Sequence, residues 1–208
     1  AHSRYAHDNQ WLMPGWFLVA VTSAKSAGYT LIELMAVLSI ASTLLLLALP
    51  SFQTQLRNGR LTGASIDLLS TYMNARAEAS ARGNYVTVCK RNEDATACVE
   101  GDGTAWNLGW ITFVDDDNDG EVDAGEEVIQ IHEALHSEIT AVATGGLEDR
   151  ISYRPNGLTS LNGTEAVIVC DKRGFRNNGA HTKAVVVSLL GKASILNGEE
   201  AGEVSCQP

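Results

Sequence analysis

The stretch from Tyr29 to Leu49, YTLIELMAVLSIASTLLLLAL, holds a single charge, Glu33, and neither proline nor glycine. Its length matches the roughly 20 residues that a helix needs to cross a bilayer. A cleaved secretory signal has a shorter apolar region with its small-residue cleavage site after that region. Here the small residue, Gly28, comes before it. The stretch therefore reads as one transmembrane helix, with membrane lipid as its first partner.

Glu33 is the exception inside that helix. A carboxylate at the centre of a bilayer costs about 2.5–3.5 kcal/mol on insertion scales, and less near the interface. It either snorkels to the headgroups or meets a cation. Residues 25 to 35 read K-S-A-G-Y-T-L-I-E-L-M, which resembles the type IV prepilin signature. The resemblance implies that a prepilin peptidase and methyltransferase cuts after Gly28 and methylates Tyr29 as the new first residue. It also implies that Glu33 is the assembly residue, neutralising the terminal ammonium of a neighbouring subunit. Tyr29 stands where the family usually has phenylalanine. The leader, residues 1–28, carries Arg4 and Lys25 as its positive charges, and Met13 within it is a candidate start. The apolar patch from Trp16 to Val21 is too short to span a membrane and is assigned to the leader.

Pro50 removes one helical hydrogen bond and is expected to kink the helix without ending it. Beyond it Leu61, Ala64, Leu68, Leu69, Tyr72, Ala75 and Ala79 recur at helical spacing, with Arg60, Asp67, Asn74 and Arg76 mostly off that stripe. The stripe should rest on a folded core. An end near Arg82 and Gly83 gives a helix of about 54 residues, or roughly 80 Å.

After Gly83 the pattern changes to short β-branched runs separated by Gly, Asn and Asp: 85–89, 109–114, 127–131, 138–143, 151–153, 166–170 and 184–189. With 208 residues, 45% of them hydrophobic, one sizeable core is expected. The expected organisation is a leader at 1–28, a transmembrane part at 29–50, an amphipathic continuation at 51–83 and a β-rich head at 84–208. The expected fold class is α+β, a long N-terminal helix packed on an antiparallel all-β head.

That arrangement is pilin-like, and the head resembles the GspH/FimT family of minor pseudopilins. The resemblance lies in W-x-x-G-W-I-T-F-V-D at Trp106 to Asp115, D-A-G-E-E-V-I at Asp123 to Ile129, R-P-N-G at Arg154 to Gly157 and C-D-K-R-G at Cys170 to Gly174. It implies a non-enzymatic subunit of a type II secretion pseudopilus or a type IV pilus that helps to initiate or cap the fibre. The implied partners are other pilin or pseudopilin subunits and an inner-membrane assembly platform. The implied place is the bacterial inner membrane, single-pass, with the head in the periplasm, before assembly into the filament.

The cysteines are Cys89, Cys98, Cys170 and Cys206, an even number downstream of the apolar segment and without a C-x-x-C pair. Two disulfides in an oxidising compartment are expected. Cys89 and Cys98 bracket a short polar loop, and Cys170 with Cys206 would tie the tail to a strand.

The formal net charge of −10, from 25 acidic and 15 basic residues, provides no broad basic field, so nucleic acid is not an expected partner. DNA-uptake relatives of the family carry an arginine-bearing stretch in a late strand, where this chain has Gly191, Lys192, Ala193 and Ser194. Lys172, Arg173, Arg176 and Lys183 make a small basic group, read as a solvated face. A DNA-uptake minor pilin is the runner-up within the family.

Two further motifs compete. His132, Glu133 and His136 spell H-E-x-x-H, which holds zinc only where both histidines lie one helical turn apart. The flanking residues are β-branched, so the alternative of a membrane-anchored zinc peptidase is disfavoured. The acidic stretch DDDNDGEVDAGE fits a calcium loop, with Asp115, Asp117, Asp119, the Glu121 carbonyl, Asp123 and Glu126 as candidate ligands and Gly120 at the turn. No cofactor is required by the expected function. This stretch binds calcium or is a solvated acidic turn, and the residues alone leave both open.

Overall fold

Helix α1 runs from Leu31 to Arg82 in a computed structural model that describes residues 28–101, 106–173 and 181–198, the side chains of 47–50 excepted. It starts two residues later than expected and continues through Pro50. The chain divides into two units, Ala1–Leu46 and Leu47–Pro208. In the first, every described residue from 28 to 46 is exposed.

In the second unit the helix buries one stripe. Leu61, Ala64, Leu68, Tyr72, Ala75 and Ala79 are buried, joined by Ser65 and Thr71, and Leu69 packs at the margin. These positions recur every three or four residues because 3.6 residues complete a turn. Ser65 and Thr71 satisfy their hydroxyls within the helix by donating to the carbonyls of Leu61 and Asp67, both at 2.9 Å. Gly83, with φ of 69°, ends the helix. Its N–H and that of Asn84 both donate to Ala79 O, the wrapped ending that a left-handed glycine permits.

Among the described residues eight strands follow: β1 (Val86–Lys90), β2 (Trp110–Val114), β3 (Val128–His132), β4 (Ile139–Ala143), β5 (Arg150–Tyr153), β6 (Thr164–Asp171), β7 (Thr182–Ser188) and β8 (Ala193–Asn197). Seven lie where the β-branched runs stand, and β8 is an addition to the expected set. They form two antiparallel sheets, in the orders β3-β2-β1-β5 and β4-β6-β7-β8.

The main core takes one face of each sheet and the helix stripe: Val86 and Val88, Ile151 and Tyr153, Val167 and Val169, Val185 and Val187 alternate inward along their strands. Two tryptophans fill its centre, each with its indole N–H used. Trp106 donates to Leu147 O at 3.1 Å and Trp110 to Thr71 Oγ1 at 3.0 Å. Tyr72 meets Trp106 edge-on at 6.1 Å. The two tryptophans are thus buried without stranding their indole N–H groups.

Part of the first sheet's outer face is covered too. Cys89, Ile111 and Phe113 form a second small cluster beneath Cys98 and Val122. The segments 91–98 and 115–127 are thereby pinned over the first sheet, which is why every residue of β1 and β2 is buried.

Candidate functional site

The start of the helix is built by a local rule. Thr30 precedes the first helical residue, and its Oγ1 accepts from the Glu33 N–H at 3.3 Å, beside a second bond from that N–H to Thr30 O at 3.1 Å. Threonine followed by glutamate three places on is an N-terminal capping signature, and the acidic residue in the first turn suits the positive end of the helix dipole. Tyr29 is 85% exposed. A Cβ placed on Gly28 meets nothing within 4 Å, and its φ is not left-handed, so the fold places no demand for glycine there.

From Leu31 onward the first unit presents apolar side chains outward: Leu31, Ile32, Leu34, Met35, Val37 and Leu38 are all exposed. Each such side chain left in water forgoes about 1.5–3 kcal/mol relative to burial. The helix is long and apolar enough to cross a membrane. Exposed apolar surface of this extent marks a membrane or protein interface.

The H-E-x-x-H residues do not form a metal site. His132 ends β3, and residues 133–135 are not helical. The His132 ring stacks on Trp110 at 3.9 Å. Glu133 pairs with Arg91 at 3.0 Å, and His136 Nδ1 accepts from the Glu138 N–H at 3.2 Å. The three side chains are held by three different neighbours.

The acidic stretch does converge. Carboxylate oxygens of Asp115, Asp117 and Glu126 lie within 4.8 Å of one another, and so do those of Asp117, Asp119 and Asp123. Like charges at that distance repel by about 1 kcal/mol per pair even in water. Asp115 is buried at the end of β2, the others are partly or fully exposed, and Gly120 takes φ of 80° at the turn. The Glu121 N–H donates to Asp119 Oδ1 at 2.8 Å.

The cysteine expectations divide. Cys89 and Cys98 are joined by a disulfide. Cys170 is buried and disulfide-bonded, while its expected partner, Cys206, lies outside the described residues. Of the small basic group, Arg173 is not free: it donates to Asp171 and, at 2.7 Å, to Asn58 Oδ1 on the helix. Arg176 and the leader through residue 27 also lie outside the described residues.

R-P-N-G is a tight turn, with the Gly157 N–H donating to Arg154 O at 2.8 Å. A Cβ on Gly191 would come within 2.1 Å of Gly157 O, and one on either glycine within 3.0 Å of Arg76 Nε. The motif therefore shapes a close approach between two loops over the helix. Residues that sequence reasoning passed over are Thr30, whose capping signature was legible, and Thr71, a polar residue in an apolar stripe.

Comparison with known proteins agrees with this architecture. The family model described as type II transport protein GspH matches residues 64–191, and the prokaryotic N-terminal methylation motif matches residues 23–49. No relative is found among curated proteins. The fold is similar to that of the type IV minor pilin FimU of Pseudomonas aeruginosa, with a TM-score of 0.54 and 17% identity over 72% of this chain and 97% of that one. The minor pseudopilin EpsH of the Vibrio cholerae type 2 secretion system is also found, with a TM-score of 0.45 and 9% identity over 69% of this chain and 99% of that one. With a methylation motif at the start of an exposed apolar helix, and a family model that takes in most of the helix stripe and strands β1 to β7, the chain belongs to the family described as type II transport protein GspH.

Proposed function

We propose that the chain is inserted in the bacterial inner membrane with its head in the periplasm, is cut between Gly28 and Tyr29, is methylated at Tyr29, and then joins a type II secretion pseudopilus or a type IV pilus at the initiating or capping end. The observation that carries this reading is the apolar helix of residues 31–46, exposed throughout and bearing one carboxylate, within a methylation motif. Moving that helix from lipid into a bundle of like helices keeps its side chains out of water. The Glu33 carboxylate then meets the ammonium on Tyr29 of a neighbouring subunit, which offsets the cost of holding a charge among apolar side chains. Methylation keeps that nitrogen cationic. The indifference of the fold to glycine at position 28 supports a role for Gly28 in peptidase recognition.

Mass spectrometry of the chain co-expressed with a prepilin peptidase tests the processing. The expected product begins at methylated Tyr29, and Gly28→Leu leaves the chain uncut. Cleavage at any other bond removes the assignment. The terminal role is tested by counting filaments in cells lacking the chain. Loss of filaments that the intact gene restores supports initiation or capping, whereas normal filament number and length contradict it.

A further inference from the structure

One buried oxygen in the loop between β2 and β3 has no hydrogen-bond donor. The Asp115 N–H donates to Tyr85 O at 3.1 Å, and Asp115 Oδ2 accepts from Thr87 Oγ1 at 2.6 Å. Thr87 in turn lies 2.7 Å from Ser152 Oγ, so the carboxylate is fixed from the sheet side. Its other oxygen, Oδ1, is buried without a partner, and the residue as a whole is 0% exposed. A buried carboxylate oxygen left without a donor or a cation is costly.

Among the described residues, no lysine or arginine is paired with that oxygen. Among the described residues, Arg150 stacks on the Gly120 backbone but pairs with Glu100, and Arg82 pairs with Glu78 and Glu127. Neither is paired with Asp115, Asp117, Asp119, Asp123 or Glu126.

The spacing of the acids supplies the alternative. Calcium binds oxygens at about 2.3–2.6 Å, so two ligands of one ion stand at most about 5 Å apart. The two triads, sharing Asp117, both fall within 4.8 Å. Counted from Asp115 as the first place, Asp115, Asp117, Asp119, Asp123 and Glu126 occupy places one, three, five, nine and twelve, and the left-handed Gly120 occupies the sixth. That is the ligand order of a twelve-residue calcium loop.

We propose that residues 115–126 form a calcium site mounted on the β2–β3 hairpin. Asp115, Asp117, Asp119 and Glu126 supply carboxylate oxygens, the Glu121 carbonyl supplies the seventh place, and Asp123 acts directly or through water. Glu126 is already oriented across the loop, its two oxygens accepting from the Asp116 N–H at 2.8 Å and the Asp123 N–H at 3.0 Å. A carboxylate has about four lone-pair sites, so these bonds leave room for an ion. Magnesium fits worse, because it demands a smaller octahedral shell and keeps its own water. Val122, packed against the Cys89, Ile111 and Phe113 cluster, holds the middle of the loop to the sheet. The site is thus anchored at both ends and at the middle, and the ion fixes the hairpin in one conformation.

The test uses the full chain in detergent, stripped with a chelator. Equilibrium dialysis against labelled calcium is expected to give one saturable ion per chain with Kd below about 1 mM, and calcium raises the thermal midpoint more than magnesium does. Asp117→Asn combined with Glu126→Gln weakens binding at least about tenfold, a loss of roughly 1.4 kcal/mol of binding energy. Asp119→Asn, a single exposed change, is read alongside in case the double variant is misfolded by circular dichroism. Absence of saturable binding below about 1 mM overturns the site. So does calcium binding of unchanged affinity in the folded variants, which places the ion elsewhere.

Discussion

The Trp110 indole N–H donates to Thr71 Oγ1 at 3.0 Å, and both groups are buried. The bond joins β2 to the helix stripe at the centre of the core, and the same hydroxyl donates to Asp67 O at 2.9 Å. Thr71→Val keeps the shape but strands the indole N–H, which should cost about 1–3 kcal/mol. Adding Trp110→Phe removes the orphaned donor, so the double variant should lose less than the sum of the two single losses. Urea unfolding followed by tryptophan fluorescence measures all three. Additive losses mean that the bond contributes nothing beyond packing.

Thr30 and Glu33 separate the shape of the helix start from its charge. Thr30→Ala removes the cap at a typical cost of about 1 kcal/mol to that helical turn and leaves the carboxylate in place. Glu33→Gln keeps the side-chain length and removes the charge. If Glu33 meets a neighbour's ammonium, Glu33→Gln should reduce incorporation into filaments while cleavage after Gly28 proceeds, and Thr30→Ala should reduce incorporation much less. Immunoblots of sheared filament fractions, compared with total processed chain, give both numbers. Equal defects in the two variants would mean that helix capping, not charge, governs assembly.

Much of this architecture was legible because it follows periodicity. A 3.6-residue stripe from Leu61 to Ala79 and seven β-branched runs could be read directly, since burial on one face writes its period into the sequence. Strand β8 was not legible. Its residues, Ala193 to Asn197, hold only a two-residue apolar run, and it is an edge strand that is nowhere fully buried, so little packing constrains it. The tryptophans were visible as a motif, but not their donors' partners, because Thr71 and the Leu147 carbonyl are distant in sequence. The acidic loop hid one distinction entirely. Asp115, Asp116 and Asp117 are identical letters, yet the first, next after a buried strand, is buried and bonds Thr87 while the second and third are exposed. Only the sheet register separates them.

Reduction should loosen the face that carries the acidic loop. Cys89 and Cys98 lie nine positions apart, and closing a loop of that size removes unfolded-chain entropy equivalent to about 3 kcal/mol. Cys98 and Val122 cover the same cluster of Cys89, Ile111 and Phe113. Replacing Cys89 and Cys98 by alanine should therefore lower stability by about that amount and speed amide exchange at 91–98 and 115–126 before it affects β6 and β7. Hydrogen exchange read by mass spectrometry distinguishes the regions. Uniform acceleration over both sheets would show that the bridge acts on global stability alone.

The bond between Asp171 and Arg173 gives the head a predicted acid sensitivity. Burial acts to raise the Asp171 carboxyl, but the Arg173 guanidinium and backbone N–H more than reverse this, with His181 adding in the same direction, so the carboxyl is held below the usual range. Arg173 Nε donates to Asp171 Oδ2 at 2.7 Å, its N–H donates to Oδ1 at 2.8 Å, and the same guanidinium reaches Asn58 on the helix. With the folded value depressed, the unfolded chain takes up the proton first as pH falls. The stabilisation is complete above the ordinary carboxylate range near 3.9 and is lost as pH falls through the lower folded value. Asp171→Asn should cost about 2 kcal/mol at neutral pH, as expected for hydrogen bonds to a charged group. The difference from wild type should hold down to about pH 5 and shrink below about pH 4. Urea midpoints across that range measure it. A gap of constant size down to the lowest pH would mean that asparagine disturbs the end of β6 by its shape, and that the charge of Asp171 does not hold the strand to the helix.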